Sequence, residues 1–363
     1  VGRILTLKDV EAAIRGGSVF ACGGGGWADH GRMLGTAACS AGQPELVDMD
    51  EVPDDAWIAT AAAIGAPAGL TEWEMLGVDY VKAVQLVQEA LGAPIYGLII
   101  GQNGKSSTLN AWLPGAILGT KVVDAVGDIR AHPTGDMGAI GLGASPDPMI
   151  QSAVGGNRKQ GRYIELVVKG ANSRVSPVLR KASDESGGFI ASCRNPVRAS
   201  YVKANAALGG ISKALALGEA ILKAEAKGGA KVIKTIVDRL DGEILGTGEV
   251  SEFAVKYTNE AFDIGTITIK DGRKRYVLHV MNEYMAVTDK DGQRLATYPD
   301  VITTLDTEGR PISVGEVKKG MTLSVLRVAK AKLPLSSSVT DPTVYPIVEK
   351  ALGLNLTDYA LGA

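Results

Sequence analysis

The sequence has 363 residues, 45% apolar and 21% charged, with a formal net charge of −2. That length favours two domains, and this balance excludes a disordered chain. No long basic run points to nucleic acid, and no apolar run reaches the ~20 residues of a membrane span.

In chain order, Leu5–Arg15 reads as a helix with Thr6 as its cap and Gly16-Gly17 as its stop. Ser18–Cys22 reads as a short buried strand, Gly23–Gly26 as a turn and Asp29–Ala41 as a helix. Strands follow at Glu45–Asp50 and Trp57–Ile64, and Thr71 is placed to cap a helix at Glu72–Glu74. Asp79–Leu91 carries Val81, Val84, Val87 and Leu91 on one helical face. Pro94–Ile100 and Lys121–Val126 read as strands, with a helix over Asn110–Leu118 between them. Tyr163–Lys169 and the glycine-led run to Cys193 are further strands, and Leu208–Lys227 has the longest helical pattern. From Lys231 to Val328 the pattern is mostly β, with hairpin turns at Asp271-Gly272 and Asp291-Gly292. The expected fold is an α/β layer domain over residues 1–162 and a β-rich domain, sandwich or partial barrel, over 163–335 that contains one long helix. Residues 336–363 are expected to pack back on the first domain.

Three cysteines, Cys22, Cys39 and Cys193, lack the spacing of a disulfide framework. No basic-then-apolar leader pattern opens the chain, so a cytoplasmic protein is expected. Four glycines, Gly23–Gly26, precede Asp29 and His30. Gly23-x-Gly25-x-x-Ala28 fits a dinucleotide fingerprint, with Asp48 or Asp50 as the ribose acid. Against this, the strand at Trp57 follows with no room for a crossover helix. "GQNGKSST", Gly101–Thr108, lacks the first glycine of a P-loop because position 99 is Ile99. Asp128, Arg130, His132 and Asp136 fall within one loop after a strand, where a neutral imidazole suits either a metal or general base chemistry. Cys193 before Arg194 reads as a thiolate or as a buried inert thiol. Glu283 in "NEY" reads as an acid, a base, a ligand or a solvated strand residue, and His279 as structural.

The ordered motifs resemble a family once known only as a domain of unknown function near hydantoinases and oxoprolinases, now associated with S-methyl thiohydantoin desulfurase. The resemblance runs through "LTLKDVEAAIRGG", "CGGGG", "IGAP", "GQN", "DAVGDIRAHPT", "GGFIAS", "GGISKALALGEAI" and "NEYMAV…ATYPDVITTLD". It implies two domains and a zinc-type hydrolytic reaction on a five-membered, sulfur-bearing ring, with loss of a thiol or sulfide. The chain departs from the family at Trp27-Ala28-Asp29-His30, at Ile100 and at His132-Pro133-Thr134, so a subgroup with its own substrate is expected.

On this reading His30, His132 and Cys193 hold a divalent transition metal, zinc by preference. Asp29, Asp128 or Glu283 acts as the general base or orients a ligand. Gly24, Gly25, Gly26, Asn103, Arg130 and Asn282 bind a small heterocyclic substrate. A homo-oligomer is expected. The alternatives are a nucleotide-binding protein that uses the glycine turn without a metal, and a non-catalytic subunit of a hydantoinase-type complex.

Overall fold

Two sheets organise the chain in the computed structural model, which describes residues 2–66, 68–69 and 72–362. The first unit runs β1 (Arg3–Ile4), α1 (Leu7–Phe20), α2 (Ala28–Ala41), β2 (Glu45–Val47), β3 (Trp57–Gly65), α3 (Gly77–Leu91), β4 (Gly97–Gln102), α4 (Trp112–Leu118) and β5 (Lys121–Asp128). It continues with β6 (Met149–Gly155), β7 (Ile164–Gly170), α5 (Asn172–Glu185), β8 (Phe189–Arg198), α6 (Ala199–Asn205), β9 (Ala207–Leu208), α7 (Gly210–Glu225) and α8 (Gly229–Leu240). Among the described residues the sheet order is β1-β2-β5-β4-β3-β8-β6-β7, with β9 beside β5. β2, β5, β4 and β3 are parallel, and β8, β6 and β7 extend them antiparallel.

Successive residues of the parallel strands enter different cores. Leu98, Ile100 and Val122 meet the layer that contains α1 to α4, α7 and α8, while Ile99 and Val123 meet the layer of α6. A strand covered on both faces needs a continuous apolar run, which is why these strands were visible in the sequence without alternation.

The second unit is antiparallel: β10 (Glu243–Tyr257), β11 (Asp263–Asp271), β12 (Lys274–Met281), β13 (Glu283–Thr288), β14 (Arg294–Thr297), β15 (Val301–Leu305), β16 (Pro311–Ile312) and β17 (Thr322–Val328). Its order is β14-β13-β12-β11-β10-β17-β15-β16. The sheet curls until β13 meets β15, around a core of Ile267, Leu278, Val287, Ile302 and Val325. Both Asp-Gly turns close hairpins, and Gly272 and Gly292 supply the positive φ these turns require. The α/β and β-rich architecture is therefore the one expected.

Several elements differ from expectation. Gly16 and Gly17 do not end α1, and no strand follows them: the helix runs on to Phe20. A Cβ on Gly16 would collide with the carbonyl oxygen of Ala214, and one on Gly218 with that of Ala12, so α1 and α7 cross with their backbones in contact. This packing outweighs the ~1 kcal/mol helix penalty of glycine. Gly16→Ala is expected to destabilise the fold by about 1–3 kcal/mol through overpacking, as read by urea denaturation; an unchanged midpoint would refute the close crossing. With a helix before the glycine turn, the strand–turn–helix unit of the dinucleotide fingerprint is absent.

Residue 162 lies between β6 and β7, which are hydrogen-bonded neighbours in the first sheet. The long helix α7 packs on α1, and α8 replaces the first of the expected strands, burying Val232, Ile236 and Leu240 along one face. Glu72–Leu76 is not helical, and its expected cap Thr71 lies outside the described residues. The tail, with α9 (Pro346–Leu352) and α10 (Thr357–Leu361), bridges both units: Val348 and Leu356 pack with Met281 and Met285, while Ser338 Oγ accepts from Gly141 N at 2.9 Å.

Candidate active site

The carboxyl ends of β3, β4 and β5 point the same way, and in open α/β sheets ligands bind at that end. Four further pieces close over it: the glycine turn between α1 and α2, Arg180 of α5, the middle of β8, and the β12–β13 link of the second sheet. Together they enclose a cavity of about 80 Å³.

The glycine turn is a joint. Cys22 O accepts from Tyr284 N, Gly23 O from Val314 N and Gly25 O from Ser106 N, at 2.8, 2.8 and 3.1 Å. Gly23, Gly25 and Gly26 have φ of 92°, 74° and 81°, where a side chain is strained. Gly24 serves a different need, since a Cβ there would collide with the Glu283 carboxyl.

Glu283 enters through a tight link. Met281 and Glu283 pair directly, so Asn282 alone joins β12 to β13, with φ of 57°. Asparagine tolerates that conformation, and here its Oδ1 accepts from Asp263 N at 2.9 Å. The Glu283 carboxyl lines the cavity, and its buried Oε2 has no hydrogen-bond partner. Burial pushes its pKa up to about 8, against the pull of Arg130 and Arg180.

His132 stands across the cavity. Its backbone N donates to Gln102 Oε1 at 3.1 Å, and the following proline holds the chain extended. The ring Nδ1 is buried, unpartnered, and 3.7 Å from Asp128 Oδ2. Burial drives its pKa down to about 3, helped by Arg194, Arg130 and Arg180, so the imidazole is neutral. Asp128 sits behind it, accepting from Tyr298 OH at 2.7 Å, and burial raises its pKa to about 6.

Two arginines face the same space, Arg194 buried and Arg180 half-buried. Arg180 donates to the carbonyl oxygens of Gly65 and Pro133 at 2.7 and 2.8 Å. Arg194 donates to Gln151 Oε1 at 2.9 Å and to Ser176 Oγ at 3.2 Å. Burial lowers both pKa values to about 10, which leaves both cationic at neutral pH. Among the described residues neither forms a close ion pair; Glu283 and Asp263 act on Arg180, and Asp136 on Arg194, at longer range. Trp27 and Phe189 form an aromatic wall, edge to face at 4.8 Å.

Of the expected site residues, Gly25, Gly26, His132, Asn282 and Glu283 meet at the cavity, with Gly24 and Asp128 directly behind. The others do not. Asp29 is on the exposed first turn of α2, paired with Arg32 at 2.7 Å. His30 is packed against Trp73, Phe189 and Tyr80, with Nε2 3.1 Å from Tyr80 OH, and burial pushes its pKa down to about 4. Cys193 lies in the apolar core, where burial raises the thiol pKa to about 12, so it is no thiolate. Among the described residues no group of three His, Cys, Asp or Glu side chains could hold a metal ion. The expected zinc ligands His30, His132 and Cys193 therefore do not fit a common centre.

Asn103 and Arg130 are structural rather than substrate-facing. Asn103 Nδ2 donates to Ile129 O and Gly210 O. Arg130, fully buried, donates to Ala131 O, Asp300 O and Tyr284 O, tying the two sheets together. Gln102, Arg180, Arg194 and Asn195 were missed. One signal was available: Pro196 inside a strand marks a bulge. The β3–β8 ladder does shift register there, Asn195 has φ of 51°, and Arg194 faces the cavity while Cys193 does not.

The fold and cavity place the chain among two-domain proteins that join an α/β layer to an antiparallel β-sheet. Two family models match it: S-Me-THD-like, N-terminal domain, over residues 8–159, and S-Me-THD-like, C-terminal domain, over residues 171–337. The chain belongs to the S-Me-THD-like family. A crystal structure of a protein from Chromobacterium violaceum is similar in fold, with a TM-score of 0.73 and 22% identity over 97% of this chain and 96% of that one. Comparison with curated proteins found no match.

Proposed function

We propose that the chain is a desulfurase-type enzyme that releases a thiol or sulfide from a compact, hydantoin-like five-membered ring. Family membership supports the substrate class, and the small cavity with its aromatic wall accords with a planar ring. One observation carries the chemistry: a buried carboxyl, Glu283, with an unpartnered oxygen, faces a cavity that also holds two cationic arginines. A carboxylic acid kept neutral at pH 7 is a proton donor.

In this reading Glu283 gives its proton to the ring nitrogen as water adds to the carbon bearing sulfur, and recovers a proton from that water. It next protonates the departing sulfur while the C–S bond breaks, and takes back the proton of the new hydroxyl as the carbonyl forms. The net change is water in and thiol out, with Glu283 unchanged. Arg180 and Arg194 stabilise negative charge on the ring and sulfur. Neutral His132 holds the water by a hydrogen bond.

Since Glu283 acts in its protonated form, kcat/KM for an S-methyl thiohydantoin is expected to fall tenfold per pH unit above about pH 8. A thiol-release assay from pH 6 to 10 tests this. A flat profile, or one that rises through that range, would exclude Glu283 as the acid. No thiol release at any pH would exclude the reaction itself.

A further inference from the structure

The outer edges of the two sheets are unequal. β1 and β16 are two residues long and β14 is four. β7 has seven residues, pairs with β6 alone, and keeps an unbroken register from Met149↔Gly170 to Gly155↔Ile164. Short strands, prolines and bulges are among the usual means of blunting an edge, and β7 has none of these, carrying instead the exposed charges of Glu165 and Lys169.

Its side chains are also unfinished. Ile164, Leu166 and Val168 face α5 yet remain only half-buried against Leu179 and Ala182. On the other face Glu165, Val167 and Lys169 are exposed, Val167 at 42%. Glu165 accepts from Tyr163 OH at 2.7 Å and pairs loosely with Lys82 at 3.9 Å, a contact between partly exposed side chains. Among the described residues Lys169 has no ion-pair partner.

We propose that β7 is a dimerisation edge, pairing antiparallel with β7 of a second copy about a two-fold axis centred on Val167. The occupant is named by the strand's own pattern. About that centre Glu165 falls opposite Lys169 of the other copy and Lys169 opposite its Glu165, with Val167 facing Val167 between them. Leu166 falls opposite Val168, which covers the half-buried face beside α5. A two-fold contact requires such self-complementarity, and opposite charges directly across a ladder stabilise it where like charges oppose it. The two first sheets then become one continuous sheet, and the edge is removed.

Charge reversal tests this in the full chain. The wild type is expected to sediment at twice the chain mass at micromolar concentration. Glu165→Lys and Lys169→Glu each place like charges opposite one another at two symmetric positions, and each is expected to weaken the dimer about tenfold or more. The double variant Glu165→Lys/Lys169→Glu restores both pairs and is expected to recover the dimer. All of these positions are surface-exposed, so circular dichroism should report the same fold in every variant. A monomeric wild type, a dimer indifferent to both single changes, or a double variant that fails to recover would overturn the proposal.

Discussion

Replacing Glu283 with Gln is expected to lower kcat/KM for thiol release by about 10²–10⁴-fold, the range for loss of a general acid. Glutamine keeps the shape of the side chain and cannot give up a proton. The same change is expected to stabilise the protein at high pH. Glu283 has its pKa raised from 4.5 to about 8 on folding, so between these values the folded state binds the extra proton. Stability then falls as pH rises through that window, because ionising the buried carboxyl costs free energy. A neutral amide carries no such penalty, so the Glu283→Gln variant should melt above the wild type at pH 9 and show no such advantage at pH 4. Loss of activity together with this pH-dependent gain separates a catalytic acid from a structural residue. A variant with wild-type turnover would end the acid assignment.

Arg130→Ala is expected to cost about 3–6 kcal/mol of folding stability, enough to leave much of the protein unfolded, since each acceptor left buried and unsatisfied costs about 1–3 kcal/mol. The Arg130 guanidinium donates to three backbone carbonyls, two of them, Asp300 O and Tyr284 O, in the second unit. The side chain also covers the ring of Tyr298, whose hydroxyl holds Asp128. Urea denaturation measures the loss. If Arg130 instead held the substrate, as its position in the loop implied, the variant would fold normally and show only a raised KM.

Much of the architecture was legible in local pattern. The Asp-Gly turns at 271–272 and 291–292 define hairpins by themselves, because only a few residues accept the backbone such turns need. Family motifs located the right loops: "CGGGG", "DIRAHPT" and "NEY" all reach the cavity or its wall. Within those loops sequence could not separate residues that face the cavity from those that face the core. His30 and His132 both lie close to glycine-rich stretches, yet one is sealed among aromatics and the other lines the site.

The sequence by itself determined the family, the alternation of helix and buried strand, the hairpins of the second sheet, and the candidacy of Glu283 and His132. These depend on residues near each other in the chain. Tertiary structure decided the rest. Gly16 lies within a helix because α7, some 200 residues on, presses its backbone against α1, and Gly17 because the Gly104 carbonyl packs against it. Arg194 rather than Cys193 meets the cavity because a bulge and the two-residue period of β8 aim neighbours to opposite faces. Burial, part of it against Gly24 far back in the chain, pushes the Glu283 pKa up to about 8. Burial and the choice of face depend on partners distant in sequence, so no local pattern encodes them.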